Sequence, residues 1–133
     1  LQAGVGGLAA ACAAYFRSTW VGAPNITVVE PEAAPALHDA IQAGRVVSAT
    51  GPVSSMGRLD CKEASMIALN GLARDADRFV LLSDDEVEDV MPDLAELGLA
   101  TTPSGGAGLA AALLGKVDLP SDARILVILS EEA

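Results

Sequence analysis

The chain has 133 residues, a formal net charge of −10, and 51% hydrophobic residues with only 3% aromatic. That length suits one domain whose core is built from Ala, Val, Leu and Ile. The acidic balance argues against a nucleic-acid or anionic-membrane surface. The longest apolar stretch, Val5 to Phe16, is too short to span a bilayer and holds two glycines.

In chain order the pattern alternates between strands and helices. Leu1-Gln2-Ala3 is too short for a buried strand, yet it runs straight into Gly4-Val5-Gly6-Gly7 and a helix over Leu8 to Arg17. Asn25 to Glu30 is a β-branched run between two prolines and reads as a buried strand. Ala34 to Gln42 reads as a helix stopped by Gly44, and Arg45 to Val47 as a short strand. Residues 50–58 are rich in turn formers and read as a loop. Glu63 to Asp75 carries a helical apolar face, and Phe79 to Leu82 is a strand. Ser83-Asp84-Asp85-Glu86 has capping-box spacing and opens an acidic helix, which Pro92 should break or kink.

Leu99 to Thr102 reads as a further strand. Ser104 to Gly108 is a glycine-rich turn that leads into a small-residue helix through Leu114. Ile125 to Leu129 is the last apolar strand. Alternation with fully apolar strands predicts an α/β fold: a three-layer open parallel sheet with helices on both faces, as one domain over residues 1–133. There is no initiator Met, and a glycine loop of this kind needs a strand before it. The chain is therefore expected to be the C-terminal fragment of a longer protein whose N-terminal half is missing.

Gly4-Val5-Gly6-Gly7-Leu8-Ala9 matches G-x-G-x-x-[GA], and Glu30 follows Ala9 by twenty-one residues at a strand end. Glycines let backbone N–H groups approach phosphate oxygens, and a helix N-terminus adds its dipole. With an acid about 20 residues on, the pattern fits a dinucleotide fingerprint, hence an NAD(P) or flavin oxidoreductase. Close helix–strand packing without a ligand is the plainer alternative. Ser104 and Gly105 open a second glycine-rich turn, for which a dinucleotide fold has no use. Ser130 ends the last strand, where α/β sheets place ligands. Cys12 and Cys61 have no metal-ligand spacing, so two isolated thiols suit the cytoplasm. His38 reads as surface, and Asp84 to Asp89 as a solvated helix face.

Five segments in order, "QAGVGGLAAACAAYFR" with "VVEP", "SSMGRLDCKEAS", "SDDEV", "PSGGAGLAAALL" and "ILVILSEE", resemble the fold-type II pyridoxal-phosphate enzymes. The likeness is greatest to the diaminopropionate ammonia-lyases and covers essentially the whole chain. The resemblance implies pyridoxal 5′-phosphate as cofactor. Gly4, Val5, Gly6, Gly7 and Leu8 would cradle its phosphate, Ser104 and Gly105 would form a second active-site turn, and Ser130 would meet the pyridine nitrogen. It implies α,β-elimination on a small amino acid, 2,3-diaminopropionate to pyruvate and ammonia, by a homodimer. Glu30 falls where related enzymes place a metal-site carboxylate, but the companion acid is Ala36 here, so no metal is carried over.

The sequence departs from the family at several points. The family's Schiff-base lysine lies upstream of the glycine loop, and only Lys62 and Lys116 are present. The chain by itself is therefore expected to lack that chemistry, and an inactive binding or assembly module is the alternative to an enzyme fragment. Ser130-Glu131-Glu132 stands where the family has a pattern like Thr-Glu-Gly, so Glu132 is expected near the ring. Arg58 stands in "MGR" where the family reads like "MAG".

Overall fold

The computed structural model describes residues 1–22 and 24–132. Its elements are α1 (Gly7–Thr19), β1 (Thr27–Pro31), α2 (Ala36–Ala43), α3 (Met66–Asp75), β2 (Arg78–Leu82), α4 (Asp84–Glu96) and α5 (Pro103–Leu113). β1 and β2 pair in parallel, from Thr27 opposite Arg78 to Pro31 opposite Leu82. On the other edge of β1, Gln2 forms a parallel bridge to Val29. There Ala3 N–H donates to Val29 O at 2.9 Å, and Val29 N–H donates to Leu1 O at 2.8 Å. The three residues before the glycine loop, too short on paper for a strand, therefore continue the sheet. Gln2 and Ala3 are buried in doing so.

Alternation along β1 builds two cores, since successive strand side chains point to opposite faces. Val28 packs with Ala9 and Ala13 of α1, Leu37 of α2 and Leu72 of α3. Val29 packs with Leu82, Val87, Val90 and Leu94 and with Ala107, Ala110 and Ala111 of α5. Helices thus cover both faces of a parallel sheet, as the apolar strands require.

Local signals set most boundaries. Gly44 closes α2 in the left-handed conformation (φ 66°). Ser65 caps α3 by accepting the Ala68 N–H. The Ser83–Glu86 capping box is made in both directions. Asp84 is not purely a solvated charge: it accepts the Ser54 hydroxyl at 2.6 Å and the Ser55 N–H at 2.8 Å, tying the loop to α4.

Five expected features differ. Pro92 does not break α4, which runs on to Glu96. Pro92 and Glu88, whose carbonyl loses its N–H partner, are both exposed, so that carbonyl lies on the solvent side of the helix while Val90 and Leu94 hold the buried side. Arg45–Val47 and Leu99–Thr102 make no strand; Thr102 instead caps α5, accepting the Gly105 N–H at 3.0 Å. The glycine-rich stretch from Ser104 is the first turns of α5, not a turn before it. Its glycines serve close approach: a Cβ on Gly106 would lie 2.9 Å from Thr101 Cγ2 and 3.1 Å from Met91 Cε. Ile125–Leu129 joins no ladder among the described residues, because only the Gln2 side chain reaches it, donating to Ile128 O at 2.8 Å.

Candidate functional site

The segment 1–3 lies beside β1 and delivers the chain to the sheet's end, where Gly4 begins the turn into α1. A Cβ on Gly4 would lie 3.0 Å from Cys61 Sγ and 3.1 Å from Arg58 O, so the loop 58–61 closes on bare backbone. Gly6 is the α1 N-cap at φ 94°, a conformation that glycine takes without strain. A Cβ there would also meet Ala68 at 2.9 Å. Gly6 offers no side-chain cap and α1 has no acid in its first turn, so the leading N–H groups of the helix are left for a ligand. Gly7 differs from the other two: nothing lies within 4 Å of its missing Cβ.

These residues form one wall of a cavity of about 300 Å³ running from Gln2 to Ala9. Arg58, Leu59 and Cys61 form a second wall, and Ser130 and Glu131 a third. Gly4, Val5, Gly6, Gly7, Leu8 and Ser130 are thereby brought together from opposite ends of the chain. Ser104 and Gly105 stand behind the wall instead. Ser104 is buried and its Oγ accepts the Arg58 N–H at 3.1 Å, while Gly105 O accepts from Gln2 Nε2 at 3.0 Å. They hold the cavity's lining because their backbone already belongs to α5.

Gln2 is not marked by any sequence pattern. Its side chain is buried, and its amide nitrogen also donates to Ser130 Oγ at 3.0 Å. The only signal in the sequence is a lone polar residue just before the glycine loop. Arg58 is mostly exposed, with its guanidinium 4.0 Å from the Glu131 carboxylate at the cavity's edge. Glu131 is anchored in turn: Thr101 donates to its carbonyl at 2.6 Å and Thr102 to its carboxylate. Glu132 lines a neighbouring cavity with Gly98 and Leu99, not the glycine-loop cavity.

The two lysines lie elsewhere. Lys62 Nζ donates to Ala33 O and Pro52 O, each at 2.8 Å, and to Asp60 at 2.5 Å. Its hydrogen bond and charge hold the Asp60 carboxyl below its ordinary value. Lys116 pairs with Glu86 at 2.6 Å. Neither lines the cavity. His38 is partly buried beside Asp39 rather than fully on the surface. Glu30 is fully enclosed, and both its oxygens accept backbone N–H groups at the start of α2, from Leu37 and His38 at 2.7 Å each. Enclosed in this way, it is out of reach of a ribose, which removes the dinucleotide fingerprint's acid.

The family model described as pyridoxal-phosphate dependent enzyme matches residues 1–131. The fold also matches solved structures. One is diaminopropionate ammonia lyase from Escherichia coli, with 25% identity and TM-score 0.85 over 99% of this chain and 38% of that one. Another is the threonine deaminase of T.th., with 23% identity and TM-score 0.81 over 90% of this chain and 44% of that one. Maize serine racemase matches with 24% identity and TM-score 0.78 over 90% and 36%. No curated protein sequence matches the chain. The chain spans between 36% and 44% of the length of these solved relatives.

The fold defines a fold-type II α/β protein. The chain belongs to the pyridoxal-phosphate dependent enzyme family, and pyridoxal phosphate is the family's cofactor. The residues present fit that group. The uncapped start of α1, with open space over Gly7, suits a phosphate, and a hydroxyl stands across the same cavity on Ser130. Among the described residues no helix is long and apolar enough to cross a membrane.

Proposed function

We propose that this chain is the cofactor-phosphate and ring-nitrogen half of a pyridoxal-phosphate ammonia-lyase that converts 2,3-diaminopropionate to pyruvate and ammonia. One observation carries the reading: the glycine loop and Ser130, 126 residues apart between Gly4 and Ser130, line one cavity. The similarity to diaminopropionate ammonia lyase over 99% of the chain supports the substrate.

Each residue contributes by position. Backbone N–H groups from Gly4 to Leu8 bind the phosphate, aided by the positive end of α1. Ser130 presents a neutral hydroxyl to the pyridine nitrogen, which does not hold that nitrogen protonated as a carboxylate would. That favours elimination over transamination, since pyridoxal phosphate supplies the electron sink for the carbanion when bound. Ser104 and Gly105 brace the wall from α5. Lys62 and Lys116 are each committed to other partners, which supports the reading that the chain alone lacks the Schiff-base lysine.

Thermal melting with pyridoxal phosphate and, separately, with NAD tests the cofactor. A ligand at a hundredfold excess over its Kd adds roughly 2.7 kcal/mol to stability. Stabilisation by NAD and not by pyridoxal phosphate overturns the reading. The substrate is tested with the product of the complete reading frame, by following release of the 2-oxo acid: pyruvate from diaminopropionate and serine, 2-oxobutyrate from threonine. Faster turnover of serine or threonine overturns the assignment to diaminopropionate.

A further inference from the structure

Gln2 sits where three segments converge beneath the cavity: the sheet edge at Val29, the start of α5 and the stretch 128–130. Its two Nε2 protons are shared among three acceptors, Gly105 O at 3.0 Å, Ile128 O at 2.8 Å and Ser130 Oγ at 3.0 Å, so one N–H is bifurcated. The orientation of the amide is dictated by its surroundings. Reversing it would set Oε1 against two carbonyl oxygens, which offer no proton. Oε1 instead points to α5, buried and without a hydrogen-bond partner, where a Cβ on Gly108 would lie only 3.0 Å away. A glycine at that position is what makes room for it.

The consequence falls on Ser130. A hydroxyl has one proton to give and lone pairs to receive. Its oxygen already receives the Gln2 N–H, and among the described residues it donates to no acceptor. Ser130 is exposed and lines the cavity with the glycine loop, while Gln2, which also contributes to the lining, is buried.

We propose that Gln2 is a positioning residue that sets the direction of the Ser130 hydroxyl, so that its proton faces the cavity as a donor to the cofactor's unprotonated ring nitrogen. The inference rests on the pyridoxal-phosphate reading above. With an acceptor in place of the Gln2 amide nitrogen, Ser130 would turn its proton inward and meet the ring nitrogen with lone pairs. That would repel an unprotonated nitrogen and favour a protonated one. Gln2 would thus act on the electronic state of the ring through the Ser130 hydroxyl.

The test uses the full chain with pyridoxal 5′-phosphate labelled with ¹⁵N in the ring, observed by NMR, with circular dichroism to check folding. In the wild type the ring nitrogen should give the signal of a neutral pyridine that accepts a hydrogen bond. Ser130→Ala should move it to the position of the unbonded nitrogen. Gln2→Met, which keeps length and removes both donors, should move it the same way and weaken binding by roughly two- to tenfold. The double variant should add nothing to Ser130→Ala, because Gln2 acts through that hydroxyl. Gly108→Ala, a change at a residue that does not itself line the cavity, displaces Gln2 Oε1, should give a partial shift and keeps the test decisive if Gln2→Met does not fold. A ¹⁵N signal that Ser130→Ala moves but neither Gln2→Met nor Gly108→Ala affects overturns the role of Gln2, as do additive effects in the double variant. A wild-type signal that Ser130→Ala leaves unchanged overturns the Ser130 assignment itself.

Discussion

The Glu30 carboxylate at the end of β1 accepts the backbone N–H of Leu37 at 2.7 Å, with the adjacent His38 N–H bound by its second oxygen. One acid therefore caps α2 from a strand, in place of the side-chain cap that Pro35 cannot supply. It is also enclosed, and burial raises its carboxyl from an ordinary 4.5 to about 7, with the two N–H groups opposing the rise.

That raised value fixes a sign. The folded chain holds the Glu30 proton more tightly than the unfolded chain, so Glu30's contribution is fully present below pH 4.5 and declines as pH rises through about 7. The stability of the wild type relative to Glu30→Gln should fall by up to about 3 kcal/mol across that window. Urea titrations of both proteins between pH 4.5 and 8 measure it. A relative loss on acidification would show the ionised cap dominating burial.

Gly6 and Gly7 should separate folding from binding. Gly6→Ala forces a left-handed residue against Ala68 and should cost roughly 1–2 kcal/mol or more. Gly7→Ala meets no protein atom, and alanine favours a helix by up to about 1 kcal/mol. Its stability should hold or rise, yet its affinity for pyridoxal phosphate should drop about tenfold as the methyl enters the opening. Melting curves and a fluorescence titration read the two effects. Unchanged affinity in Gly7→Ala would remove the loop from the phosphate site.

Lys62 is a structural clamp across Ala33, Pro52 and Asp60. Lys62→Met should lower stability by about 1–2 kcal/mol, since charged hydrogen bonds to partly exposed carbonyls are lost. Borohydride reduction of the chain with pyridoxal phosphate, followed by peptide mass analysis, should leave Lys62 unmodified. A pyridoxyl adduct at Lys62 would contradict its commitment to the loop.

Close packing of α5 on α4 depends on Gly106. Gly106→Ala should cost roughly 1–3 kcal/mol despite the better helix propensity, because Thr101, Met91 and Leu94 must yield. Chemical denaturation checks this, and a stabilised variant would mean that the glycine is there for another reason.

Much of this protein is written locally. The β-branched run before Glu30, the capping box at Ser83, the Gly44 stop and the glycine loop each act over a few residues, so period and cap residues suffice to place them. The family resemblance likewise follows from ordered short motifs, and the glycine loop with Ser130 is legible as a pair of candidate positions. What distance along the chain conceals is partnership. Whether Leu1–Ala3 counts as a strand depends on Val29 lying beside it, and whether Ile125–Leu129 does depends on a ladder that does not form among the described residues. Pro92 is tolerated because it faces water, a property of packing and not of proline. Glu30 becomes a cap because α2 begins within reach of the β1 end. Gln2, silent in one dimension, gains its meaning only where α5 and residues 128–130 converge on its amide. The sequence determined the helices, their caps and the two strands β1 and β2, because these depend on neighbours in the chain. The tertiary structure decided which groups meet, because a hydrogen bond requires a partner within about 3 Å, and only folding brings residues 2, 105 and 130 that close.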